Sequence, residues 1–360
     1  MKKNYTIELL RFLFACMIVY FHILHSNIMK YTGESTTYLT MQTTNYLCSY
    51  IVECFLIISG YFLYLSVIKD RKKTFIEFLL DKLVRLWPVF AVQTCAMVLF
   101  FDMKLQEAFF DFFFLRATGL ISAYRGIVWY IGPFFYVTLL IFVILKYFSK
   151  KSALLATSLI AYISYAINLN IFDGMLGREV VMGFVSAAML RVLGGICLGV
   201  LIAAAMDEYH NVFGFSSGAE RKVIQMLISV LEITVTAVLF RLFLFYDKPV
   251  SSVIIVIILF AILFVCIISE QGVFSTLLNR KIFGIMGKYS YSIYVMQQFT
   301  FNVLSKTFWH NKDFVYNHPY LTVFISVIAC VVSGVIIYHL VERPAVGLYK
   351  KWKVYRKARL

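Results

Sequence analysis

Ten apolar runs, each about long enough to cross a lipid bilayer, follow one another with only short, charged loops between them. They cover residues 7–27, 43–66, 83–101, 129–147, 153–170, 184–205, 224–244, 251–269, 284–305 and 319–341, within a few residues at each end. A helix needs roughly 20 apolar residues to span the hydrocarbon core. None of the runs alternates strongly between apolar and polar residues, as barrel strands do. Inside lipid a segment must satisfy its own backbone hydrogen bonds, and a helix does so. Composition excludes a water-soluble fold: 61% of the 360 residues are hydrophobic and only 15% are charged, against about 25% charged in soluble domains. The expected fold is an all-α integral membrane protein, a bundle of about ten transmembrane helices.

Lysine and arginine in the loops give the orientation. With the N-terminus inside, the inner segments 1–6, 67–85, 146–152, 206–222, 270–288 and 342–360 hold 23 basic residues, and the outer segments 28–42, 102–128, 171–183, 245–250 and 306–318 hold 8. Both termini are therefore expected in the cytoplasm, on a multi-pass protein of the cell (plasma) membrane. The net charge of +15 follows this loop pattern, so it does not point to nucleic acid. Seven cysteines are scattered, nearly all inside apolar runs and without a CxxC pair. They read as small packing residues, with no disulfide and no metal expected. Met1-Lys2-Lys3 before an apolar run imitates a signal peptide. Arg11 and two histidines interrupt that run, and no small-residue cleavage pattern follows, so it is read as a retained first helix. The expected organisation is one transmembrane domain over 5–346 and a basic cytoplasmic tail over 347–360, lying along anionic inner lipid. In the loop 102–128, Glu107 and Asp111 recur four residues apart among phenylalanines. This pattern suggests a helix at the outer interface, either covering the mouth of a cavity or anchoring the chain.

Ionisable residues inside a span are costly and usually face the protein interior. The first run carries Glu8, Arg11 and His22, with His25 close behind. Arg11 and His22 are eleven residues apart, so they project from one helix face about 16 Å apart along the axis. One reading is a polar channel, with Arg11 meeting a phosphate-rich ligand near the inner end and His22 doing proton chemistry deeper in. The other is that Arg11 snorkels to headgroups and His22 bonds a neighbouring helix. The second run adds Glu53 and Ser59-Gly60, where glycine permits close approach or plain helix packing. Lys82 and Arg85 share a face at the inner boundary of the third run, as a phosphate clamp or as topological anchors.

Taken together, these motifs make the chain resemble the acyltransferase family 3 of membrane proteins, which includes O-acetyltransferases of bacterial surface polysaccharides. The resemblance runs from about residue 5 to residue 346. It rests on Glu8-Leu9-Leu10-Arg11 with the Arg11-to-His22 spacing, on Glu53 followed by an apolar run and Ser59-Gly60-Tyr61-Phe62-Leu63, and on Lys82-Leu83-Val84-Arg85-Leu86-Trp87-Pro88. Trp129-Tyr130, Arg191 with Gly194 and Gly199, Ser290-Tyr291-Ser292-Ile293-Tyr294 and Glu342-Arg343-Pro344 follow in order. Where many relatives end the Ser-Tyr motif with histidine, this chain has Gln297, which hydrogen-bonds but takes up no proton at neutral pH. The chain also lacks the esterase-like extracytoplasmic domain that some relatives carry. It is expected either to act alone or to have a separate protein complete the work.

The resemblance implies transfer of an acyl group, acetyl by family habit, from acyl-CoA on the cytoplasmic side to a hydroxyl of a cell-surface or lipid-linked glycan. Arg11, Lys82 and Arg85 would bind the polyanionic donor (acetyl-CoA as donor substrate, with no metal). His22 would act as general base or carry the acyl group itself, and both routes stay open. Ser59 and Tyr291 are candidate donors to the oxyanion. Glu53 would orient His22 or neutralise a nearby cation. Trp129 and Tyr130 are read as boundary anchors. Expected partners are the glycan acceptor, membrane lipid and glycan-assembly proteins. Two rival readings remain. In one the chain is a transporter of small, amino-acid-like solutes, using the same polar face without covalent chemistry. In the other it is an inactive structural subunit of a glycan-assembly complex.

Overall fold

The structure is a computed structural model and describes residues 4–25, 28–32, 35–120, 127–171, 180–181, 185–212, 219–245 and 250–357. Met1-Lys2-Lys3 and the loop stretches 172–179, 213–218 and 246–249, which entered the topology and signal-peptide readings, lie outside the described residues. The elements in chain order are α1 (Tyr5–His25), α2 (Thr36–Thr44), α3 (Ile51–Lys69), α4 (Phe75–Phe101), α5 (Leu105–Phe112), α6 (Ile131–Tyr147), α7 (Lys150–Ile171), α8 (Ala187–Val212), α9 (Ala219–Phe245), α10 (Val250–Ser269), α11 (Val273–Leu277), α12 (Phe283–Met286), α13 (Ser290–Lys306), α14 (Lys312–Asn317), α15 (Pro319–Ile337) and α16 (Arg343–Lys357). The strand pairing among the described residues is a two-residue ladder, Val180–Val181 with Val185–Ser186. Seven of the described helices are long and apolar enough to cross a membrane, and two shorter apolar helices lie within α6 and α10.

Burial separates inner helices from outer ones. In the most apolar window of α8, 72% of residues are buried, against 17% in α9. The exposed face of α9 carries Val223, Met226, Leu227, Val230 and Ile233, a surface suited to lipid and not to water. The inner pair is α3 with α8, and its closeness has a sequence cause. A Cβ on Gly60 would fall 2.0 Å from the Ile196 carbonyl oxygen, and one on Gly199 would fall 2.0 Å from the Ile57 carbonyl oxygen. Two helix backbones therefore touch where only glycine fits. On the other side of the bundle α1 packs on α12, α13 and α15, and α4 packs on α13 and α5.

Four elements depart from the hydropathy reading. The third span begins at Phe75 and not at residue 83. A capping box starts it: Glu77 N donates to Thr74 Oγ1 (3.2 Å), and Thr74 N donates to Glu77 Oε2 (2.9 Å). The first turns are amphipathic, so hydropathy alone missed them. The run 284–305 is not one helix. It is α12, a 3-10 turn over Gly287–Tyr289, then α13. A Cβ on Gly287 would lie 2.2 Å from Glu8 Oε2, so the break lets α1 approach. The last span runs on through a π-helical turn, Tyr338–Glu342, into α16. The basic tail thus continues as helix, and Lys353 Nζ reaches Asp81 Oδ1 at 2.7 Å.

The fourth departure is α5. It packs back against α4. After Asp102, whose φ is 55°, the chain doubles back along α4, and the Trp87 indole N–H donates to the Phe112 carbonyl at 3.1 Å. Trp87 stands fourteen residues before the end of α4, or about 21 Å along its axis. The segment therefore re-enters the bundle. Asp111 is buried, and both its oxygens accept from Arg116 at 2.6 and 2.5 Å. It closes a buried pair, because a carboxylate taken out of water needs a counter-charge beside it.

Candidate active site

A cavity of about 330 Å³ opens between α1, α3, α4, the start of α6 and α13. Each wall is a helical stripe. From α3 come Phe55, Ser59, Phe62 and Ser66, and from α4 come Phe78, Asp81, Lys82 and Arg85. These spacings of three and four residues place side chains on one face. Arg11 comes from α1, Tyr130, Ile131 and Phe134 from the α6 entry, and Ser290, Tyr291 and Tyr294 from α13. Five residues expected at the site from sequence line this space: Arg11, Ser59, Lys82, Arg85 and Tyr291. Counting 1.5 Å per residue inward from Lys69 at the end of α3 and Phe75 at the start of α4, Ser59 and Arg85 stand at similar depth, each roughly 15 Å.

Electrostatically the cavity is an anion site. Arg11, Lys73, Lys82 and Arg85 line it against one carboxylate, Asp81. Asp81 is already held by Lys73 (2.7 Å) and Lys353 (2.7 Å). Arg11 pairs with Glu8 at 3.2 Å and turns into the protein, not out to headgroups. Lys82 meets the faces of Phe78 and Phe134, with Nζ 5.4 and 4.9 Å from the ring centroids. Neither Lys82 nor Arg85 makes a hydrogen bond or ion pair to a described residue. Glu342, turned inward by the π-helical turn, accepts from Ser292 Oγ at 2.6 Å and lies within electrostatic reach of Arg11 and Arg85. Such π-turns are frequent at functional sites.

The hydroxyls divide by their partners. Ser59 Oγ faces the cavity and bonds no described residue. Tyr291 OH donates to the Leu86 carbonyl at 2.5 Å, so its proton is committed to α4. Tyr294 OH donates to the Ile127 carbonyl, and its ring meets Tyr130 edge-on at 4.6 Å. Trp129 and Tyr130 are not boundary anchors. Trp129 is buried beside the Arg191 guanidinium, 5.3 Å from its ring centroid, and Tyr130 lines the cavity. Hydropathy placed them at a membrane edge because it does not register that the preceding chain re-enters.

His22 and Glu53 stand outside the cavity lining. Between Arg11 and His22 on the same face lie Ala15 and Ile18, both buried, so apolar packing fills the stripe where a polar channel was read. His22 Nδ1 lies 3.0 Å from Gln297 Oε1. Tyr294, the last cavity residue on α13, precedes Gln297 by three positions, about 4.5 Å of helix rise. The cavity thus ends roughly one turn short of the imidazole. Glu53 is fully buried and pairs with Arg191, not with His22. Arg191 also donates to the Ser49 carbonyl at 2.9 Å, and Tyr165 OH donates to Glu53 at 3.5 Å. Sequence reading missed Tyr130, Glu342 and the functional place of Arg191 as cavity or supporting groups. A charge inside an apolar run was the available signal for Arg191, whereas Glu342 falls just past the last run.

The fold and the site define a membrane-embedded helix bundle with a cationic cavity leading toward a half-buried imidazole. A family model described as an acyltransferase domain matches residues 4–339. The chain belongs to acyltransferase family 3 and is a membrane acyltransferase. No curated protein and no solved structure matches it.

Proposed function

We propose that this protein transfers an acetyl group from acetyl-CoA, entering from the cytoplasm, to a hydroxyl of a cell-surface or lipid-linked glycan. The observation that carries this reading is the cavity, where Lys82 and Arg85 make no direct ion pair with a described residue and Arg11 adds a third cation. A polyanionic nucleotide thioester suits that lining, because charge-assisted bonds to phosphate are strong. The deep end carries Tyr130, Tyr291 and Tyr294 beside Phe55 and Leu56. For the pantetheine arm to bring the thioester to His22, the packing between Tyr294 and His22 has to part by about one turn.

In this mechanism His22 takes the proton of the acceptor hydroxyl, the oxygen attacks the thioester carbonyl, and the C–S bond breaks. The imidazolium then returns the proton to the departing thiolate, leaving an ester and free coenzyme A. Ser59 donates to the developing oxyanion, and Tyr291 holds α13 against α4. Glu53 neutralises Arg191 and so steadies the Trp129–Tyr130 wall. Both termini lie in the cytoplasm, and the host bilayer is the plasma membrane.

His22→Ala is expected to abolish acetyl transfer while the protein still inserts and accumulates. NMR comparison of surface glycan from parent, deletion and His22→Ala strains tests this. Acetyl signals lost in the deletion strain and retained in His22→Ala would remove the catalytic role. Glycan identical in all three would remove the glycan as acceptor.

A further inference from the structure

Gln297 sits in the middle of α13 with no exposed surface, and its Oε1 lies 3.0 Å from His22 Nδ1. Its Nε2 is buried and finds no acceptor among the described residues. A buried N–H without a partner is a cost that methionine or leucine would avoid, so packing alone does not account for an amide here. The contact with the imidazole does. An amide oxygen only accepts, so at this distance the proton between the two groups belongs to Nδ1. The hydrogen bond made at one ring nitrogen sets the state of the other, and Nε2 is then left as the basic nitrogen.

We propose that Gln297 is the positioning residue for His22, its side-chain oxygen holding the Nδ1–H tautomer so that Nε2 takes the proton of the incoming hydroxyl. This rests on the acyl-transfer reading of His22. It adds that one titrating group does the proton chemistry while a neutral amide aims it. A carboxylate at 297 would accept the same bond, whereas an apolar side chain of equal size would leave the ring free to turn and to switch tautomer.

The test uses membrane vesicles from cells making the full chain, with acetyl-CoA as donor and the acceptors those membranes contain. Coenzyme A thiol release is read as kcat and KM, and His22→Ala vesicles set the background. Gln297→Met, which conserves volume, is expected to lower kcat at least tenfold with KM for acetyl-CoA within twofold and with unchanged thermal unfolding. Gln297→Glu is expected to recover a third or more of the lost kcat. Should Gln297→Met fail to accumulate, Gln297→Asn keeps the amide but withdraws it by one methylene, and the same kcat loss is expected. Wild-type kcat in Gln297→Met or Gln297→Asn overturns the positioning role while leaving the acyl-transfer reading intact. Full activity in His22→Ala would instead overturn that reading.

Discussion

Lys82 and Arg85 line the cavity without a direct ion pair to a described residue, and they should be felt in donor affinity before turnover. Each charge-assisted contact to phosphate contributes about 1.5–3 kcal/mol, so Lys82→Ala and Arg85→Ala are each expected to raise KM for acetyl-CoA roughly tenfold or more. The measurement is initial rate against donor concentration, and an unchanged KM would move the donor elsewhere. Glu53 carries a different expectation. Removing one member of a buried ion pair costs about 3–5 kcal/mol, because the other charge is left unpaired. Glu53→Ala is therefore expected to lower the unfolding temperature and the folded yield, read by thermal unfolding in detergent. A fully stable but inactive Glu53→Ala protein would give Glu53 a chemical role. Arg11 was legible in the sequence because a charge inside an apolar run has few explanations, whereas Lys82 and Arg85 at a run's edge read equally well as anchors. The partner of Glu53 was not legible, since Arg191 is 138 residues away and nothing local announces that pairing.

At the scale of elements, the α3–α8 contact sets the width of the bundle next to Ser59. Gly60→Ala would drive a methyl into the Ile196 carbonyl, pushing the helices apart. It is expected to lower stability and displace Ser59 from the cavity wall. Gly347→Ala in α16, where nothing lies within 4 Å, is the control. It should be neutral or stabilising by up to about 1 kcal/mol through helix propensity. Thermal unfolding of the two variants side by side checks both statements. Hydropathy located most of the long helices, because apolar length is a local property. It misjudged α4, α5 and α12–α13, where amphipathic turns, a re-entrant segment and a glycine break depend on what packs alongside.

For the molecule as a whole, the proposed orientation has both ends in the cytoplasm, so a fluorescent reporter fused after Leu360 is expected to light up and an alkaline phosphatase fusion there to stay inactive. The reverse pattern would turn the cavity mouth to the outside and end the acyl-CoA proposal. By itself the sequence determined that the chain lives in lipid as helices and which ionisable groups lie within them. Those properties depend on transfer free energy and periodicity, which act residue by residue. Tertiary structure alone decided that Arg11, Lys82 and Arg85 share one cavity, that Glu53 answers Arg191, and that His22 meets Gln297 one turn beyond the cavity's end. These are meetings between distant parts of the chain. They are set by which helix faces fit together, and hydrophobicity does not distinguish one close-packed arrangement from another.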